Sequence, residues 1–157
     1  MYDPVHAAEL ILRATGPQTG APMRICHIAH LCDGWHRAIH GRPLIDGSLI
    51  AQDVGPMYQE IVDTIQDPTL GFDPRPHGPG FTPDQAELIM RTISKYAAFT
   101  TAELRKINTG PGTPWYRTYM SEHGRGARIP DRLIGEHFVA LAIAVRSSAQ
   151  RNALLSA

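Results

Sequence analysis

The residues with the most chemistry in them crowd into one stretch, Cys26-His27, His30, Cys32-Asp33, His36 and His40. On a helix, Cys26, His30 and Asp33 share an arc, and His36 and His40 stand one turn apart, a spacing that can hold zinc on one face. The stretch contains no His-Glu-x-x-His signature and no Cys-x-x-Cys pair, and no acid sits in the register that would complete a ligand set. Histidines on the polar side of an amphipathic helix are ordinarily solvated, so no metal and no cofactor is expected. Nucleophilic chemistry is no better supplied. Ser121 precedes Glu122-His123 in an expected loop, no Gly-x-Ser-x-Gly elbow is present, and the glycines from Gly71 to Gly80 lack the lysine of a phosphate-binding loop. The chain is read as a non-enzyme.

Composition sets the frame for these residues. The 157 residues suit one domain over 1–157, and 43% hydrophobic with 19% charged is ordinary for a folded protein. Fifteen basic and fifteen acidic side chains cancel, which removes the overall drive toward nucleic acid. Met1-Tyr2-Asp3-Pro4 does not open a secretory signal, and the apolar run Phe138 to Val145 is far shorter than the roughly 20 residues of a membrane span. Cys26 and Cys32 would point about 120° apart on a helix, out of disulfide reach. A cytoplasmic protein without a membrane partner is expected.

The elements that must position these residues are mainly helical, about six helices with at most a minor two-stranded β element. Asp3 caps a helix with Pro4 in its first turn, ended by Gly16-Pro17. Pro22 opens a second, ended at His40-Gly41, with Ile25, Ile28, Leu31, Cys32, Trp35, Ala38 and Ile39 on one side. His27, His30, Asp33, His36, Arg37 and His40 take the opposite arc, which is expected to face solvent. Leu49 to Gln52 reads as a weak strand, and Gly55-Pro56 as the restart of a helix through Met57, Tyr58, Ile61, Val62 and Ile65. Residues 69–80 read as a surface loop. Thr82 with Gln85, and Thr100 with Glu103, are capping boxes, and Thr113-Pro114-Trp115 is a third helix start. Arg128-Ile129-Pro130 reads as a turn with one strand. A C-terminal helix over 131–155 should turn Leu133, Ile134, Phe138, Leu141, Ala142 and Val145 inward.

Several of these segments, taken in order, resemble the Panacea-domain (SocA-like) family. Pro22-Met23-Arg24-Ile25-Cys26-His27-Ile28 followed by Gly34-Trp35 is similar to its Pro-Leu-Lys-Leu-Gln-Lys-Leu helix ending in Gly-Trp. Gly41-Arg42-Pro43-Leu44 matches its turn, and Ala51-Gln52-Asp53-Val54-Gly55-Pro56 its Ala-Trp-x-Tyr-Gly-Pro segment. Thr101-Ala102-Glu103-Leu104, Thr113-Pro114-Trp115 and Ile129 to Phe138 resemble its later helix starts, so the likeness covers about residues 5–138. His27, Cys26, His30-Leu31, Gln52 and Val54 replace the family's lysine, glutamine, tyrosine pair and two aromatics.

The resemblance implies an antitoxin, often prophage-encoded, that neutralises a cognate toxin by direct protein–protein binding. Some of the family's toxins are like alarmone synthetases, and one founding member delivers its toxin to a cellular protease. It implies a scaffold of Gly34, Trp35, Gly41, Arg42, Pro43, Gly55, Pro56 and Trp115. Trp35 and Trp115 are expected as core anchors at element ends. Two faces are candidates for toxin contact: His27, His30 and Arg37 on the second helix, and Arg117, Arg128 and Arg132 around a glycine-rich turn. The alternatives are a protease adaptor, a nucleic-acid-binding regulator using the arginine turn, and a His/Cys metal-dependent enzyme.

Overall fold

The computed structural model describes residues 1–16, 21–67, 69 and 78–156. The capping signals place the helices where the sequence puts them. Asp3 accepts from the His6 amide and starts α1 (Pro4–Thr15), whose C-terminus closes on Gly16 at φ 80°. The helix α2 (Pro22–His40) ends on Gly41 in the left-handed conformation. Thr82 and Thr100 complete reciprocal capping boxes at the starts of α4 (Pro83–Tyr96) and α5 (Thr101–Thr109). Thr113 caps the short α6 (Pro114–Tyr119), and α7 spans Asp131–Leu155.

Between α2 and α4 lie β1 (Leu49–Gln52), β2 (Gly55–Tyr58) and α3 (Gln59–Gln66). The described residues thus form seven helices and one two-stranded antiparallel sheet, with Leu49 opposite Tyr58 and Gln52 opposite Gly55. Gly55-Pro56 does not restart a helix. Gly55 takes φ 122° to close the hairpin turn, Pro56 pairs across from Ala51, and the helix begins only at Gln59. The other edge of β1 is covered by residues 126–129. The amides of Ala51 and Ile129 donate to the Ala127 and Leu49 carbonyls at 2.9 and 2.7 Å. The expected strand at Arg128 is realised as an isolated bridge to Ile50. The loop expected at 69–80 falls largely outside the described residues.

The central element is α2, which packs against α1, α3, α4, α5, α7 and β2. Gly34 lets α7 cross it closely: a Cβ there would lie 2.2–2.3 Å from three ring carbons of Phe138. Leu133, Ile134 and Phe138 are buried as expected, but Leu141 and Val145 are 37% and 53% exposed. A 25-residue helix rises about 37 Å, against about 28 Å for the 19 residues of α2. The C-terminal half of α7 therefore runs past the body that its first half packs on.

Candidate functional site

Most of the arc of α2 that reads as a solvent face lies in the interior, and only His40 in the last turn is exposed as expected. His27, His30 and His36 are each 1% exposed and Asp33 is fully buried. With neighbours on nearly every side, this helix can bury its polar arc only where the protein satisfies it. Asp33 Oδ1 accepts from the Leu44 and Ile45 amides at 2.8 and 3.0 Å, and Oδ2 from Arg37 Nε at 2.7 Å. His36 Nδ1–H donates to the Arg42 carbonyl at 2.8 Å, and its Nε2 faces the Gln85 amide at 3.5 Å. Gln85 Oε1 in turn accepts from the Tyr2 hydroxyl and the Thr82 amide. One polar chain thus fixes the Gly41-Arg42-Pro43 turn, the start of α4 and the N-terminus against α2.

His27 and His30 differ from the rest. Both ring nitrogens of His27, and Nδ1 of His30, are buried and find no hydrogen-bond partner among the described residues. Desolvation, reinforced by Arg105, lowers the pKa of His27 to about 4. Desolvation, then His27, His137 and Arg37, lowers that of His30 to about 3. Both rings are neutral at physiological pH and packed inside, His30 edge-on to Phe138 at 5.6 Å. The expectation that they form a toxin-contacting face is corrected: they offer a partner no surface.

Of the candidate zinc ligands, Cys26, His30 and Asp33 diverge, while the His36 and His40 rings stand with centroids 4.6 Å apart. Cys26 Sγ lies 3.7 Å from the Tyr58 carbonyl, His30 faces Phe138 and Asp33 holds backbone amides. Among the described residues no three His, Cys, Asp or Glu side chains are gathered for a metal ion. Burial also raises both thiols, Cys26 to about 11, away from the reactive thiolate form.

The arginines divide. Arg37 is a strut, its side chain 11% exposed, joining Asp33 of α2 to Asp131 of α7 at 2.7 and 2.8 Å. Arg117, Arg128 and Arg132 are exposed, and their acids lie on the first turns of α7. Arg117 and Arg132 both reach Glu136, at 3.6 and 2.6 Å, and Arg128 reaches Asp131 at 2.8 Å. Hydrogen bonding from Arg132 holds the Glu136 carboxyl below its ordinary range. The three arginines are accessible and only partly neutralised, since Glu136 serves two of them and Asp131 is shared between Arg128 and Arg37. Nearby, the hairpin tip is clamped where Asp53 accepts from Tyr119 Oη at 2.9 Å and pairs with Arg125.

The two tryptophans anchor element ends. Trp115 is 9% exposed and donates to the Gln52 carbonyl at 2.8 Å. Trp35 is half-buried, edge-on to Phe138, and its Nε1–H lies 3.3 Å from Tyr96 Oη. Gly55 sits where a Cβ would come 2.7 Å from the His27 ring.

The exposed face of Trp35 leads to a feature the periodicity hid. Trp35, Ile39, Leu88, Thr92 and Val145 line a shallow groove of about 290 Å³ edged by Arg91 and Lys95. Lys95 Nζ stands 4.7 Å above the Trp35 ring. From there α7 continues outward, carrying Val139, Leu141, Ile143, Val145, Leu154 and Leu155, six of the twelve exposed large apolar side chains among the described residues. The signal in the sequence was the run from Val139 to Val145, apolar on every side of the helix and so without a solvent face. Ile39, expected on the buried stripe, is 59% exposed at this same place because α2 ends there.

Among the described residues no helix is long and apolar enough to cross a membrane. No known protein family matches the chain, and no curated protein or solved structure does so either.

Proposed function

We propose that this chain is the antitoxin of a toxin–antitoxin pair and neutralises its toxin by binding it, without catalysing a reaction. The ordered resemblance to Panacea-domain antitoxins motivates the class. The single observation that carries the binding role is the apolar surface at the outer half of α7 and the Trp35 groove. Water-exposed apolar area of this kind is the mark of a protein–protein contact. The surface extends a helix anchored by the Arg37–Asp131 ion pair and by Phe138 at Gly34, so it is already helical before docking and little conformational freedom is lost. Occlusion of the toxin's active site or substrate path is the mechanism this favours.

The test is expression of the product of the adjacent gene with and without this chain. Growth arrest that this chain relieves, with both proteins purifying together and the toxin level unchanged, is the expected outcome. A falling toxin level would mark a protease adaptor instead. A neighbouring product that causes no arrest, or an arrest this chain leaves in place, would remove the reading.

A further inference from the structure

We infer that residues 139–155 of α7, with the groove at Trp35 and Ile39, are the docking element itself, and that they enter an apolar groove of the partner protein whose rim is acidic. The inference rests on the binding role proposed above and assigns that role a place and a chemistry.

Three observations carry it. Val139 to Val145 is apolar around the whole helix, and Ile143 and Val145 are 60% and 53% exposed, so this segment lacks the cover that an all-round apolar helix requires. A helix laid in a complementary groove supplies cover on several sides at once. The arm itself is cationic: residues 139–155 hold Arg146 and Arg151 and no Asp or Glu, and Lys95 and Arg91 edge the adjoining groove. Of these, Arg91 has an acid of its own nearby, Glu87 at 3.7 Å. A second copy would bring cation against cation, whereas carboxylates on a partner's rim complement them.

The third observation is the polar collar. Arg146, Ser147, Ser148, Gln150, Arg151 and Asn152 take about two thirds of the helix circumference between the apolar run and Leu154-Leu155, and the small Ala149 and Ala153 take the rest. The stripe that continues from Phe138 and Val145 is thus carried only by alanine until Leu154, too little apolar side chain to hold the arm in a bilayer surface or to zip it along a second copy. An apolar knob followed by a cationic collar fits a groove that is short, apolar at its floor and acidic at its mouth.

The probe is the purified product of the adjacent gene, titrated with the full chain by calorimetry at 50 and 300 mM salt. Ile143→Asp with Val145→Asp should weaken binding at least 100-fold while the thermal melt stays within a few degrees. Ile143→Ser repeats the test with a milder change should the doubled variant melt low. Arg146→Glu with Arg151→Glu should weaken binding about tenfold and flatten its salt dependence. Wild-type protein that binds the probe and relieves arrest, with all three variants binding equally well, would overturn the docking element and leave the antitoxin reading standing. Wild-type protein that does not bind the probe would remove the reading and this inference with it. Two results would overturn the assigned occupant: a dimer in light scattering that the Asp variant makes monomeric, or retention on phosphatidylserine vesicles that the Asp variant abolishes.

Discussion

His27 and His30 are interior bases without a counter-charge, and acid should unfold this protein through them. Arg105 of α5, Arg37 of α2 and His137 of α7 surround the pair electrostatically, and each disfavours a proton on it. In the unfolded chain both rings take up a proton near pH 6.5; in the folded chain they do so only near 4 and 3. Between these limits the unfolded state binds more protons, so stability falls as pH falls. Each histidine contributes a slope of about 1.4 kcal/mol per pH unit below 6.5. At pH 5 that is about 2 kcal/mol for each ring and about 4 kcal/mol for the pair, a large part of the 5–15 kcal/mol typical of a domain. Urea unfolding reads this as a midpoint about 2 M lower at pH 5 than at pH 7, for a slope near 2 kcal/mol per M. The carboxyls with lowered pKa, Asp53, Glu103 and Glu136, begin from 3.8 or 4.5 and act mainly below the window. His36 and His137 are also lowered by burial, so the comparison that isolates the pair is His27→Leu with His30→Leu. That variant should lose most of the pH dependence. An unchanged wild-type midpoint at the two pH values, or a double variant with the full wild-type slope, would refute the assignment.

Gly34→Ala should lower stability by about 2 kcal/mol, since its Cβ would enter the buried Phe138 ring and the helix-propensity gain of about 1 kcal/mol offsets only part of the overpacking. A thermal melt should drop by about 6 °C, and a drop under 1 °C would mean that α7 does not pack on α2 through this contact. Arg128→Ala removes an ion pair whose side chains are 58% and 51% exposed, so its melt should stay within about 2 °C of wild type. A larger loss would make Arg128 part of the scaffold and remove it from the contact surface.

The helix starts were legible because capping is local chemistry. Asp3, Thr82, Thr100 and Thr113 each need only an amide two or three residues away, and all four find it. The hairpin was half legible. Leu49 to Gln52 holds one strong strand former, Ile50, and Gly55-Pro56 suits a helix start and a turn into a strand equally well, so the choice is made by pairing with Ala51 and Gln52. The polar arc of α2 was misread for a related reason. Periodicity separates polar from apolar residues and assumes that water takes the polar side. Here the Leu44 and Ile45 amides, the Arg42 carbonyl and Gln85 take that side for Asp33 and His36, from positions 6 to 49 residues away in sequence.

The outer half of α7 shows the same gap from the opposite direction. Leu141 and Val145 continue the helical spacing of Ile134 and Phe138, so spacing alone assigns them to the same buried face. Spacing gives direction around a helix and is silent on how far along it the packing partner extends. That second quantity is set by the body under the helix: the Arg37–Asp131 ion pair and the Phe138 ring at Gly34 hold the first turns of α7, and from Val139 its large apolar side chains are exposed. Beyond that point a solvated helix would be expected to turn polar, and this one does so only after seven apolar residues. The excess cannot be serving the internal core, because Val139 and Ile143 point away from the face that Phe138 uses and are 43% and 60% exposed. An apolar run exposed on both sides of its helix is the observation on which the proposed docking role rests. The Arg37–Asp131 ion pair and the Phe138 ring packed at Gly34 fix the helix from which that run extends.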